Sequence, residues 1–206
     1  MKTCYIVGAG EFYGEFTPAD DDLVIAADGG YDSLLKRGIR TDVLIGDLDS
    51  IKEIPVGIEL IRHPVKKDET DMHLAYLEGR RRGYENFELF GGVGGRADHT
   101  FANYCLLSYA RANGAHARLH DKDSVAYAIR NEATRVRGKC GNHISLFAFG
   151  GAAKGVFIKG LYYELENGTL TSDFPLGVSN QFTNEYAEIE VRDGTLLVIE
   201  EIQKKY

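Results

Sequence analysis

Up to about residue 122 the chain alternates short apolar runs with stretches of helical spacing. The runs are CYIVGA, LVIAAD, DVLIGD, IELIRH, FELFGG and ARLHD. Runs of this length and apolar content read as strands. Between them, TDMHLAYLEGRRRG and ADHTFANYCLLSYARANG repeat apolar residues at helical intervals, and the second closes on Asn113-Gly114, a helix stop. Strand runs alternating with helices predict a parallel sheet covered on both faces.

From Ser124 the period changes. HISLFAF and AEIEVRDGTLLVIEEI are β-rich, and in the latter Ile189 and Val191 alternate with Glu190 and Arg192, as in a half-buried antiparallel strand. Asn167-Gly168 and Asp193-Gly194 read as hairpin turns between strands. The expectation is an α/β chain: a Rossmann-like parallel-sheet domain over 1–122, then an all-β sandwich over 123–206.

Composition narrows the function. Hydrophobic residues make up 44% and charged residues 27%, and 24 basic against 31 acidic side chains leave a formal charge of −7. That balance argues against a general nucleic-acid or membrane-surface binder, since both partners are polyanionic. No apolar run approaches the roughly 20 residues that span a bilayer. MKTCYIVGAG reads as a first strand rather than a signal peptide. Cys4, Cys105 and Cys140 are odd in number and far apart, so a reducing cytoplasm is expected. Cys140 with His143 lacks a second ligand pair and reads as structural.

Carboxylates collect where strands end. LVIAADGG delivers Asp28 and VLIGDLDS delivers Asp47 and Asp49, and ligands of parallel α/β sheets bind beyond those ends. Asp47 and Asp49 are two residues apart, so an extended backbone points both the same way. Taken alone, Asp49-Ser50 could equally begin a turn or cap a helix. Asp71 adds a further carboxylate in the first turn of a helix whose apolar face includes Leu74, Ala75 and Leu77. The helix dipole stabilises such a residue by about 0.3–1 kcal/mol, too little to offset several inward carboxylates, whereas a divalent cation does. Hard oxygen ligands without a histidine–cysteine set favour Mg²⁺ over zinc.

FGGVGGRADHTFANY places Gly91, Gly92, Gly94 and Gly95 between a strand and a helix. Such a loop is either a tight turn or a phosphate cradle; beside an acidic cluster, and followed by the guanidinium of Arg96, the cradle is the better account. Asp98 and His99 then open the helix. GAGEFYG departs from the dinucleotide fingerprint in its last interval, so Gly8 and Gly10 are read as serving close backbone approach at the first strand end.

Taken in order, DGG (28–30), GDLDS (46–50), KDETD (67–71) and GGVGGRADH (91–99) resemble the signature of the thiamine pyrophosphokinase family. GLYYEL (160–165) followed by GVSNQF (177–182) is similar to the segment with which that family holds thiamine. The resemblance implies transfer of a pyrophosphoryl group from ATP to the hydroxyl of thiamine, giving thiamine diphosphate and AMP, in a homodimer whose sites lie between subunits. It implies that Asp47, Asp49 and Asp71 ligate Mg²⁺ or stand close to it. Asp28, Gly29, Lys67, Asp68, Thr70, Gly92, Gly95, Arg96 and His99 would line the ATP site. Arg96 and Asp98 would flank the transferred group, and Ser179, Asn180 and Tyr163 would meet thiamine. Many relatives place a tryptophan against thiamine; this chain has none, so Tyr162 or Tyr163 would supply the aromatic face. Two rivals are a Mg²⁺-dependent phosphohydrolase of another small phosphorylated substrate and a non-catalytic nucleotide-sensing module.

Overall fold

The computed structural model describes residues 2–47, 57–63 and 68–202. The chain divides into two compact units, one of residues 1–106 with 114–122, the other of 107–113 with 123–206.

In the first unit every expected run is a strand: β1 (Thr3–Val7), β2 (Leu23–Ala27), β3 (Val43–Gly46), β4 (Glu59–Arg62), β5 (Asn86–Phe90) and β6 (His116–His120). All pair in parallel, in the order β6-β5-β1-β2-β3-β4. β2 and β3 are buried at every residue, as strands covered on both faces must be, whereas edge strand β4 is only half-buried. The side chains of Val7, Val24, Ala26 and Leu44 form one core with Leu34 of helix α1 (Gly30–Lys36). Cys4 and Phe87 face the other way, against α2 (Asp71–Arg81), because successive strand residues alternate faces.

Helix α1 was not singled out by the hydrophobic pattern. At seven residues it is too short to show a period, and it starts without a side-chain cap. What sets its position is Gly30: a Cβ there would fall 1.9 Å from the Val7 carbonyl oxygen, so only glycine lets the helix begin over β1. Helix α2 is capped by Thr70, whose hydroxyl accepts from His73 N–H at 3.2 Å. Its buried stripe is Met72, Ala75, Tyr76 and Gly79, while Leu74 is half-buried and Leu77 exposed, a correction to the face expected. The reason is Gly79. A Cβ at that position would meet Phe87 at 2.6 Å and Cys4 Sγ at 2.9 Å, so the bare backbone at 79 turns this stripe onto the sheet. Helix α3 (Ala97–Ala112) follows the glycine loop as expected.

The second unit is built on two long antiparallel strands, β7 (Ser124–Arg137) and β12 (Tyr186–Glu201), paired from Tyr186–Arg137 to Glu201–Ser124. The other edge of β12 pairs first with β9 (Ala153–Lys159) and then with β8 (His143–Ala148). β10 (Leu165–Leu170) joins β9, and β11 (Gly177–Gln181) joins β8. The inward residues of β7, β8, β9 and β12 share one apolar core. The two expected hairpin turns are not reversals. Asn167-Gly168 lies inside β10 and Asp193-Gly194 inside β12, each at a register shift. Gly194, at φ +113°, donates its N–H to Asn131 Oδ1 at 2.8 Å, so its freedom builds a bulge that lets β12 change partner.

Candidate active site

In the first unit the chain steps from β1 outward through β2, β3 and β4, then returns to place β5 on the other side of β1. That reversal opens a crevice beyond the carboxyl ends of β1 and β5, the place where open parallel sheets bind ligands. The crevice is a cleft of about 330 Å³. Gly8, Ala9 and Gly10 enter it from β1, Asp28 from β2, Thr70 and Asp71 from the start of α2, and Gly92, Gly95 and Arg96 from the glycine loop. His99, Thr100 and Asn103 complete it from α3.

Close backbone approach builds the floor. Gly8 N–H donates to Phe90 O at 2.8 Å and Gly10 N–H to Gly91 O at 3.0 Å. A Cβ on Gly8 or Gly10 would stand 2.8 or 2.7 Å from Gly91 O, so neither position accepts a side chain. The expected role of these glycines therefore holds, and they line the cleft as well. Gly91 and Gly94 occupy the left-handed region at φ +64° and +81°, which lets the loop turn from β5 into α3. Asp28 is also left-handed, at φ +49°, a conformation aspartate tolerates better than most residues. Its N–H is tied to Ile45 O at 2.7 Å, and its own carbonyl accepts Tyr31 N–H at 3.3 Å.

Arg96 and Asp98 form a two-point ion pair, Nη2–Oδ2 2.6 Å and Nε–Oδ1 3.1 Å, both side chains exposed. Asp98 Oδ1 also accepts His99 N–H at 3.0 Å. The Arg96 hydrogen bond, with the His99 amide, holds the Asp98 carboxyl below its ordinary range, and the same bond raises Arg96. Asp98 is thus a fixed anion that aims the guanidinium.

The structure brings Asp28, Thr70, Asp71, Gly92, Gly95, Arg96 and His99 to one cleft. Asp47 follows β3, which pairs with β2, the strand that leads into Asp28, and like Gly29, Asp68 and Asp98 is not among the lining residues. Asp49 and Lys67 lie outside the described residues. Sequence reasoning missed Thr100 and Asn103. The available signal was Asn103 itself, an amide sharing a helical stripe with Leu106, Leu107 and Ala110, all buried.

Ser179, Asn180 and Tyr163 belong to the second unit. Asn180 is buried and clamps the backbone of Tyr163 in both directions, Oδ1 accepting its N–H at 2.9 Å and Nδ2 donating to its carbonyl at 2.8 Å. Ser179 sits at φ +55°, its N–H held by Ser145 Oγ at 3.0 Å. Tyr162 and Tyr163 are 68% and 65% exposed, their rings edge to face at 4.9 Å. Asn180 thus presents an exposed aromatic pair.

Comparison with known proteins agrees with this arrangement along the chain. The family model described as thiamin pyrophosphokinase, catalytic domain, matches residues 18–119, and that described as thiamin pyrophosphokinase, vitamin B1 binding domain, matches residues 129–196. The chain is similar to thiamine pyrophosphokinase of Bacillus subtilis, at 28% identity over 210 residues covering 97% of this chain and 98% of the relative. It is also similar to the crystal structure of thiamine pyrophosphokinase from Bacillus subtilis, with a TM-score of 0.87 at 25% identity, covering 98% of this chain and all of that one (100%). Thiamin pyrophosphokinase from Candida albicans, at 15% identity, shares the fold with a TM-score of 0.72 over 98% of this chain and 89% of its own.

Proposed function

The chain belongs to the thiamin pyrophosphokinase family, and from that premise we infer how its residues divide one reaction, the transfer of a pyrophosphoryl group from ATP to the hydroxyl of thiamine to give thiamine diphosphate and AMP. The observation that carries the reading is the cleft at the strand-order reversal, where a glycine loop, a helix start, a guanidinium and two carboxylates converge. Backbone amides of the loop and the start of α3 bind phosphate oxygens. Arg96, aimed by Asp98, stabilises charge on the transferred group. The two-point contact gives Asp98 the part of orienting Arg96.

Mg²⁺ fits the donors present. Asp28 and Asp71 are hard oxygen ligands beside a phosphate cradle, and Mg²⁺ is commonly held by one or two carboxylates together with substrate phosphates. Among the described residues no group of three or more ligating side chains is preassembled. By family resemblance Asp47, Asp49 and Asp71 would hold the ion, with Asp28 a further site carboxylate. Bound there, Mg²⁺ supplies neutralisation of phosphate charge and Lewis acidity.

By family resemblance, Gly29, Lys67, Asp68 and His99 line the ATP site, while Ser179, Asn180 and Tyr163 receive thiamine. The first unit acts as a Rossmann-like catalytic domain over 1–122, and the second, over 123–206, as a β-sandwich that binds the vitamin. The shared core of β7, β8, β9 and β12 supports the sandwich. The enzyme is a homodimer with sites between subunits; exposed Tyr162, Phe174, Leu176 and Val178 support an interface on the second unit. Three free thiols support a cytoplasmic setting. The test is incubation with ATP and a panel of alcohols including thiamine. AMP with a diphosphorylated thiamine is expected; free phosphate without an acceptor would support a phosphohydrolase, and tight ATP binding without turnover a sensing module.

A further inference from the structure

Three successive carbonyls at the end of β5 are each taken by a different donor. Phe90 O accepts from Gly8 N–H at 2.8 Å, Gly91 O from Gly10 N–H at 3.0 Å, and Gly92 O from Asn103 Nδ2 at 2.7 Å. The first two bonds are backbone to backbone and follow from the ends of β1 and β5 lying side by side. The third is different, because a side chain reaches across from α3 to supply it. Asn103 is only 5% exposed and stands on the apolar stripe of the helix. Leucine has the same branched side-chain skeleton and would avoid burying an amide, so an apolar role on this stripe does not account for asparagine. Gly92 is shaped to the same contact: a Cβ there would come 2.9 Å from Asn103 Nδ2 and 2.7 Å from Leu119 Cδ1.

We propose that Asn103 is a positioning residue that sets the Gly92–Val93 peptide so that its N–H side serves the phosphates of the bound nucleotide. This rests on the reading of the cleft as the ATP site. In a trans peptide the carbonyl and the following N–H point in opposite directions, so tying Gly92 O to α3 turns Val93 N–H away from α3. Gly92, Val93 and Asn103 all line the cleft. Without the amide donor, Gly92 O loses its partner, and glycine backbone freedom allows the peptide to flip. A flipped peptide offers an acceptor where a phosphate needs a donor. The effect is therefore specific to phosphate and leaves the thiamine contacts alone.

The test combines a variant with a measurement on the unaltered chain. Asn103→Leu and Asn103→Asp should each raise the KM for ATP and the Kd for Mg²⁺-tripolyphosphate about tenfold, the usual worth of one hydrogen bond to a charged group, with the KM for thiamine unchanged. A folded Asn103→Leu with wild-type tripolyphosphate affinity would overturn the proposal, as would an equal rise in both KM values. In the wild-type protein the ¹⁵N–¹H resonance of Val93 should move on titration with tripolyphosphate. This readout stands even where the variants do not fold. A chain that binds tripolyphosphate while the Val93 resonance stays fixed refutes the role of Asn103 and leaves the ATP site intact. A chain that binds neither ATP nor tripolyphosphate refutes the ATP site itself, and the proposal with it.

Discussion

Arg96 is the residue on which charge and geometry separate most cleanly. Its fork is held at two points by Asp98, and lysine in its place keeps the charge but cannot reproduce that grip. Arg96→Lys is expected to lower kcat about 100-fold with a smaller rise in the KM for ATP, because the contact matters most as charge develops on the transferred group. Steady-state kinetics decide it; a change confined to KM would mark Arg96 as a ground-state phosphate contact. Arg96 and the glycines before it were legible in the sequence because a glycine-rich strand-to-helix turn followed by arginine, beside an acidic cluster, suits a phosphate better than a bare turn. Asp28 was legible as a polar residue ending an apolar run, and Asp71 as a carboxylate in the first turn of a helix. Asn103 was not, since its partner is a backbone carbonyl that no residue type advertises. The cleft role of Gly8 and Gly10 was hidden for a similar reason: it depends on β5 returning beside β1, a pairing that spacing along the chain does not reveal.

At the scale of elements, Gly30 is a steric hinge of the fold rather than a flexible one. Gly30→Ala would drive a methyl into the Val7 carbonyl, and a loss of about 3 kcal/mol or more is expected by denaturant titration. An alanine tolerated there within experimental error would show that α1 can shift off β1 at little cost. Helix α2 carries a charge cluster with a pH signature. Glu78 accepts from Arg81 at 2.6 and 2.7 Å and from Arg82 at 2.6 Å, while Arg82 also reaches Glu59 of β4 at 2.7 Å. The Arg81 hydrogen bonds, aided by Arg82 against partial burial, hold the Glu78 carboxyl below its ordinary range. A carboxyl lowered on folding stabilises above its unfolded pKa, about 4.3, and that contribution fades as pH falls through the lower folded value. Glu78→Gln should therefore cost about 1 kcal/mol at pH 7 and progressively less below about pH 4, checked by denaturation across pH. The strands of the first unit, with β8 and β12 of the second, were readable from apolar and β-rich runs, whereas β7, β9, β10 and β11 were not singled out. The misread turns in β10 and β12 share one cause: Asn-Gly and Asp-Gly mark positive φ, which a bulge requires as much as a hairpin does.

At the scale of the whole molecule, the proposed homodimer makes a prediction that neither unit makes alone. Phosphate chemistry is assigned to one unit and thiamine binding to the other, and the proposed dimer divides each site between two subunits. Two variants, each disabling one half, can then repair one another. Asp71→Asn serves for the first unit, since it removes a cleft carboxylate while Thr70 still caps α2. For the second, Asn180 is a poor choice because its amide holds the Tyr163 backbone, and its loss would confuse misfolding with lost binding. Ser179→Ala with Tyr163→Ala removes the exposed phenol and the hydroxyl and leaves that clamp in place. Each variant alone should be nearly inactive. After subunit exchange, random pairing makes half of the dimers mixed, and each mixed dimer has one intact site of two, so about a quarter of wild-type activity should return. Exchange is followed independently with differently labelled chains. Full exchange with no recovered activity would mean that each site is completed within a single chain, and the shared-site dimer would be wrong.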